Sequence, residues 1–163
     1  MAQKTDLSKL NCSVAGALSI VGDWWSLLIV RDALLGAERF SEFRQSLGLA
    51  RNILADRLKS LTADEILIRQ GSERRPRYKL TEKGRALAPV IVALMQWGDA
   101  WVSEGRAPVV VTDEAGETVD PMEIHAHGRR VAFRELRFRP GAGAEAGTMQ
   151  YLEWMAPRVA SRK

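Results

Sequence analysis

Cys12 is the only thiol in this 163-residue chain, His125 and His127 are its only imidazoles, and ten of its 24 lysines and arginines fall between Arg51 and Arg85. Each feature limits the chemistry available. A single cysteine excludes an internal disulfide framework and every zinc site built on paired cysteines. The two histidines, spaced i, i+2 on a strand, would share one side, where a third ligand would complete a metal site; a solvent-facing pair is the alternative we favour, and no metal or cofactor is expected. There is no nucleophile elbow, no phosphate-binding glycine loop, no histidine before residue 125 and no framed carboxylate pair, so an enzyme is not expected. The basic cluster says more. Against five acids it gives residues 51–85 a net charge of +5, while the rest of the chain sums to −1. Such concentration points to a polyanionic partner.

The elements around that cluster are a helix, a turn, a second helix and a basic hairpin. Phe40, Phe43 and Leu47 recur at helical spacing, Gly48 supplies the turn, and Leu54, Leu58 and Leu61 recur again after it. Asn52, Ala55, Asp56, Lys59 and Ser60 then point away from the leucine stripe, a small polar front on an apolar back that suits a major groove. In that reading Asn52, Asp56 and Lys59 face base edges while Arg51 and Arg57 flank on phosphates. Leu67–Gln70 and Arg77–Leu80 form antiparallel strands across GSERRP. This loop places Arg74 and Arg75, with Arg77 beside them, for the sugar-phosphate backbone or the minor groove.

Two earlier helices and one later one complete the core. Asn11–Ile20 ends at Gly22; Asp23 caps the next helix, whose stripe is Trp25, Leu28, Ile29 and Leu35 before Gly36. Thr81 is expected to cap one long helix from Glu82 to about Glu104, bent by an internal Pro89. Its Leu94, Trp97 and Trp101 exceed what a small domain can cover, which suits dimerisation. Trp24, Trp25, Trp97 and Trp101 either pack core and interface or line a small-molecule effector pocket between dimer helices. The fold class is mainly α with small β: a winged helix-turn-helix domain, a long C-terminal dimerisation helix and a short β-rich tail.

Cys12 ahead of a helix, then IVGDWWSLLIVRDALLG, RFSEF, LADRLKSL, YKLTEKGRAL and MQWGDAW, resemble in order and spacing the HxlR family of bacterial transcriptional regulators. The resemblance covers about Asn11 to Trp101. It implies a winged-helix homodimer on a palindromic operator of double-stranded DNA, with Ala50–Ala63 as recognition helix and Gly71–Arg77 as wing tip. In some members the cysteine equivalent to Cys12 senses oxidants or electrophiles, a use that the positive end of a helix dipole favours; an inert small core residue is the alternative. The chain departs from the pattern at Ser13, where Pro is common, at Ala50, where Ser or Thr is common, and at Glu65, where Gly is usual.

The expected division is 1–106 for the DNA-binding and dimerisation domain, 107–139 for a small β appendage of several short strands, and 140–163 for an unpacked PGAGAEAG linker and a short helix capped by Thr148. The appendage resembles the ribbon-like tails of some family members without their paired cysteines. The polar N-terminus and the lack of a long apolar run place the chain in the cytoplasm with no membrane partner. The rival to a DNA-binding regulator is a winged-helix module that binds protein without specific DNA binding.

Overall fold

The computed structural model describes residues 6–160, which divide into two compact units: Ile20–Met122, and a second combining the described residues up to Ser19 with those from Glu123 onward. In chain order the elements are α1 (Ser13–Val21), α2 (Trp24–Leu34), α3 (Phe40–Leu47), α4 (Arg51–Ala63), β1 (Leu67–Ser72), β2 (Arg75–Leu80), α5 (Glu82–Arg85), α6 (Ala88–Trp101), β3 (His125–Ala126), β4 (Arg129–Arg130) and α7 (Ala146–Ala160).

The core of the larger unit is built by the apolar faces of α2, α3 and α4. Ile29, Val30, Phe43, Leu54 and Leu61 are fully buried, with Leu58, Ile66, Leu67 and Ile91 closing around them. Two helices, α2 and α5, start where the sequence offers a side-chain cap. Trp25 N–H donates to Asp23 Oδ1 at 3.0 Å, and Gly84 N–H donates to Thr81 Oγ1 at 3.0 Å. Gly48 closes α3 in the left-handed region at φ 63°, where glycine carries no Cβ penalty. Ala50 leaves the first turn of α4 without a side-chain cap. Glu65 follows α4 at φ 58°, so a residue with a Cβ occupies the strained position where glycine is usual.

The hairpin pairs Leu67 with Leu80 through to Ser72 with Arg75, longer than the two four-residue strands expected. A third segment joins it. Tyr78 N–H donates to the Glu38 carbonyl at 2.7 Å, and Arg39 bridges Arg77. The wing is thereby sewn to the residues just ahead of α3.

Five expectations need correction. The long helix of residues 82–104 is two helices: α5 stops at Arg85 and α6 starts at Ala88, with Pro89 in its first turn. There its missing N–H had no partner to lose, so it starts a helix rather than bending one. Leu35, assigned to the buried stripe of α2, is 70% exposed; buried Ser26 and Asp32 lie on the inner side with Ile29 and Val30. The β appendage reduces to two paired residues in each of β3 and β4 and a lone Thr112–Thr118 bridge. His127 sits at φ 52° in the β3–β4 turn, so the strand alternation that would set it beside His125 does not apply. Among the described residues, no group of three His, Cys, Asp or Glu is placed to hold a metal.

The fifth correction concerns the glycine-rich stretch, which is not free. Within the smaller unit, Asn11 donates from Nδ2 to the Gly143 carbonyl at 3.0 Å and accepts at Oδ1 from Glu145 N–H at 3.0 Å and Thr148 Oγ1 at 2.6 Å. The helix therefore starts at Ala146 rather than after Thr148. Asn11 supplies the organising side chain from a distant part of the chain, which local sequence cannot show.

Candidate nucleic-acid interface

α4 divides cleanly into two faces. Leu54, Leu58 and Leu61 are buried, while Asn52, Ala55, Asp56, Lys59 and Ser60 are exposed. The alignment follows from helical period alone: residues three and four apart share a side, so a leucine back leaves a polar front. Asn52, Asp56 and Lys59 are thus together on one solvent-facing surface.

The expected flanking arginines part company. Arg51, at the first position of α4, is exposed, with its guanidinium carbon 6.0 Å from the centre of the Phe40 ring. Arg57 turns the other way. Its Nη2 lies 3.3 Å from Asp23 Oδ2, and its Nε is buried with no hydrogen-bond partner among the described residues. This guanidinium joins α4 to the start of α2.

Arg74 occupies the two-residue turn of the wing and Arg75 opens β2; both are exposed. Arg69, on the opposite strand, reaches the Glu73 carbonyl at 3.3 Å and braces that turn. Arg77 is held lower down, where Glu38 accepts from Arg77 Nη1 at 3.4 Å and lies 3.4 Å from Lys79 Nζ. Sequence reasoning passed over Glu38 and saw in Asp23 only a cap. The signal for Glu38 was the i, i+2 pair Arg77 and Lys79, two cations on one side of a strand that favour a nearby acid. Asp23's second role had no local signal.

Glu42 carries a further local anchor. Its Oε2 accepts from the Glu38 and Arg39 N–H groups, each at 2.8 Å. The Glu38 N–H bond, followed by that of Arg39, holds its carboxyl below the ordinary value of 4.5. The start of α3 and the third segment of the wing are so fixed together. An open hollow of about 430 Å³ lies around the following turn, lined by Ser41, Arg44, Gln45, Gly48 and Leu49.

On α6, Val90, Leu94, Trp97 and Trp101 are 47%, 50%, 59% and 76% exposed, an apolar face of which about half or more is open to solvent. Trp24 is also exposed, its ring edge-on to Trp25 at 6.4 Å. Cys12, in the smaller unit, is exposed, and its carbonyl accepts from Gly16 N–H at 2.9 Å at the start of α1.

Comparison with known proteins agrees with this geometry. The profile of the family described as HxlR-like helix-turn-helix matches residues 20–106. An uncharacterized HTH-type transcriptional regulator of Mycobacterium tuberculosis is 37% identical over 140 residues, covering 82% of this chain and 89% of that protein. The HTH-type transcriptional regulator YodB of Bacillus subtilis is 36% identical over 93 residues, covering 55% of this chain and 83% of YodB. Among solved structures, that of PA1607 superposes with a TM-score of 0.78 at 38% identity, covering 84% of this chain and 100% of its own. The redox regulator HypR in its reduced form superposes with a TM-score of 0.51 at 29% identity, covering 58% of this chain and 99% of its own. Wing, paired helices and family profile converge on residues 20–106, and the chain belongs to the HxlR-like helix-turn-helix family of DNA-binding transcriptional regulators.

Proposed function

We propose that the protein acts in the cytoplasm as a homodimer on a two-fold symmetric operator, with α4 of each protomer in a major groove. The observation that carries this is the exposed front of Asn52, Asp56 and Lys59 over a fully buried leucine back. Asn52 is suited to adenine, Lys59 to guanine, and Asp56 accepts from a cytosine amine or restrains a neighbouring side chain. Arg51 contacts phosphate. Arg74 and Arg75 hold the backbone or enter the minor groove at the wing tip, with Arg77 fixing the strand behind them. Arg57 serves the same surface indirectly, by keeping α4 against Asp23.

The apolar face of α6 supplies the dimer contact through Leu94, Trp97 and Trp101, because two-fold pairing covers it and sets the recognition helices about 34 Å apart. Cys12 responds to oxidants or electrophiles; its exposure and a relative named as a redox regulator support this reading. Footprinting on DNA upstream of the protein's own gene tests the proposal. Two protected stretches one helical turn apart would support it, and uniform or absent protection would contradict it.

A further inference from the structure

The smaller unit contains an open cleft of about 940 Å³ between the segment ahead of α1 and the segment that enters α7. Its walls have two characters. Leu10, Phe138, Tyr151 and Leu152 line it, and the first three are 52%, 61% and 56% exposed, so apolar and aromatic surface faces open space. Lys9 and Arg139 line it too, against one acid, Glu145. Arg139 is exposed and has no ion-pair partner among the described residues, and Lys9 reaches Asp6 only at 3.7 Å. The floor is well made. The three bonds of the Asn11 side chain tie the two segments together, and Tyr151 is supported by Trp154 with ring centres 6.1 Å apart.

We propose that this cleft binds a small organic anion with an aromatic body, an effector of the regulator. The volume lies in the range of small-molecule sites, which combine apolar walls with a few polar groups that fix orientation. Here the aromatic body lies along Leu10, Phe138 and Tyr151, and the anionic group meets Arg139, whose planar fork suits a carboxylate better than a lysine does. Lys9 adds a second, more mobile cation. The site is distinct from the DNA-facing surface of α4 and from the apolar face of α6, since none of its residues belongs to either.

Cys12 also lines the cleft and is the chain's one thiol, so its alkylation rate reports occupancy directly. The experiment uses the full-length reduced protein without DNA, which separates its outcome from that of the operator reading. Iodoacetamide labelling of Cys12 is followed against increasing 1-naphthoate, with neutral 1-naphthalenemethanol as comparator. The proposal expects saturable protection by naphthoate and much weaker protection by the alcohol. Arg139→Ala should raise the half-protecting concentration about tenfold, a typical loss for one charge-assisted hydrogen bond. Arg137→Ala, which removes the same charge outside the cleft, should leave it unchanged. The proposal is overturned by absence of protection up to the solubility of naphthoate, by equal protection from the alcohol, or by equal effects of the two arginine variants.

Discussion

Arg57 Nη2 lies 3.3 Å from Asp23 Oδ2, while the other oxygen of the same carboxylate accepts from Trp25 N–H at 3.0 Å. One side chain thus starts α2 and holds α4 to it. Both partners are about two-thirds withdrawn from solvent, with side-chain exposures of 33% and 28%. The pair is therefore worth about 1 kcal/mol, near the top of the range for partly exposed pairs. Asn is as good a cap as Asp. Asp23→Asn should keep the cap and lose the ion pair, lowering the melting temperature by roughly 2 to 4 °C. Asp23→Ala should cost about twice as much, since the cap goes as well. Equal melting temperatures for the two variants would show that the ion pair, not the cap, carries the effect of Asp23.

Gly84 in α5 is buried, and a Cβ built on it would overlap the Ile66 carbonyl oxygen and crowd Leu80 Cδ2. Backbone cannot rotate away as a side chain can. Gly84→Ala is expected to destabilise the domain by about 1 to 3 kcal/mol, as overpacking does, despite alanine's better helix propensity. Chemical denaturation of both proteins checks the sign. A stabilised variant would mean that α5 moves freely away from Ile66 and Leu80.

Glu42 gives stability a pH dependence. Its carboxyl is depressed in the folded protein by the Glu38 N–H and then the Arg39 N–H, and Glu135 is depressed by the Ala132 N–H and then Arg129. A depressed folded pKa stabilises above the unfolded value, and that contribution is lost as pH falls through the folded pKa. Stability should therefore decline from about pH 5 downward, and Glu42→Gln should flatten part of that decline. Urea unfolding at several acidic pH values would measure it; an unchanged slope in the variant would exclude Glu42 from the effect.

Helical period made the polar face of α4 readable, because Leu54, Leu58 and Leu61 fix by elimination where Asn52, Asp56 and Lys59 must point. Caps at Asp23 and Thr81 and the turn at Gly48 were legible for the same local reasons. The unforeseen features depend on distant contacts. An apolar pattern runs on through Leu87 and Ile91, so nothing local marks the break ahead of α6; Pro89 fits a first turn as well as a kink. Arg57 looked like any exposed helix cation until its partner on another helix was in place. Past Arg106 no period guides the eye, and the bonds from Asn11 to Gly143, Glu145 and Thr148 are set entirely by tertiary structure.

The α6 face predicts assembly. Trp97, 59% exposed at the middle of an apolar stripe, should be covered in the dimer. Trp97→Asp would place a charge there and is expected to shift the protein to monomer in sedimentation experiments while leaving its helical circular dichroism intact. A variant that remained dimeric would move the interface to another surface.

Fluorescence anisotropy on the footprinted fragment tests most directly whether the front of α4 reads the operator. Asn52→Ala and Lys59→Ala are each expected to weaken operator binding by about 1 to 3 kcal/mol, roughly 5- to 150-fold, in the presence of competitor DNA. Arg74→Ala should weaken operator and nonspecific binding alike and lower the dependence of affinity on salt. If Asn52→Ala and Lys59→Ala both bound the operator as tightly as the unmodified protein, the recognition surface would not be the one assigned here.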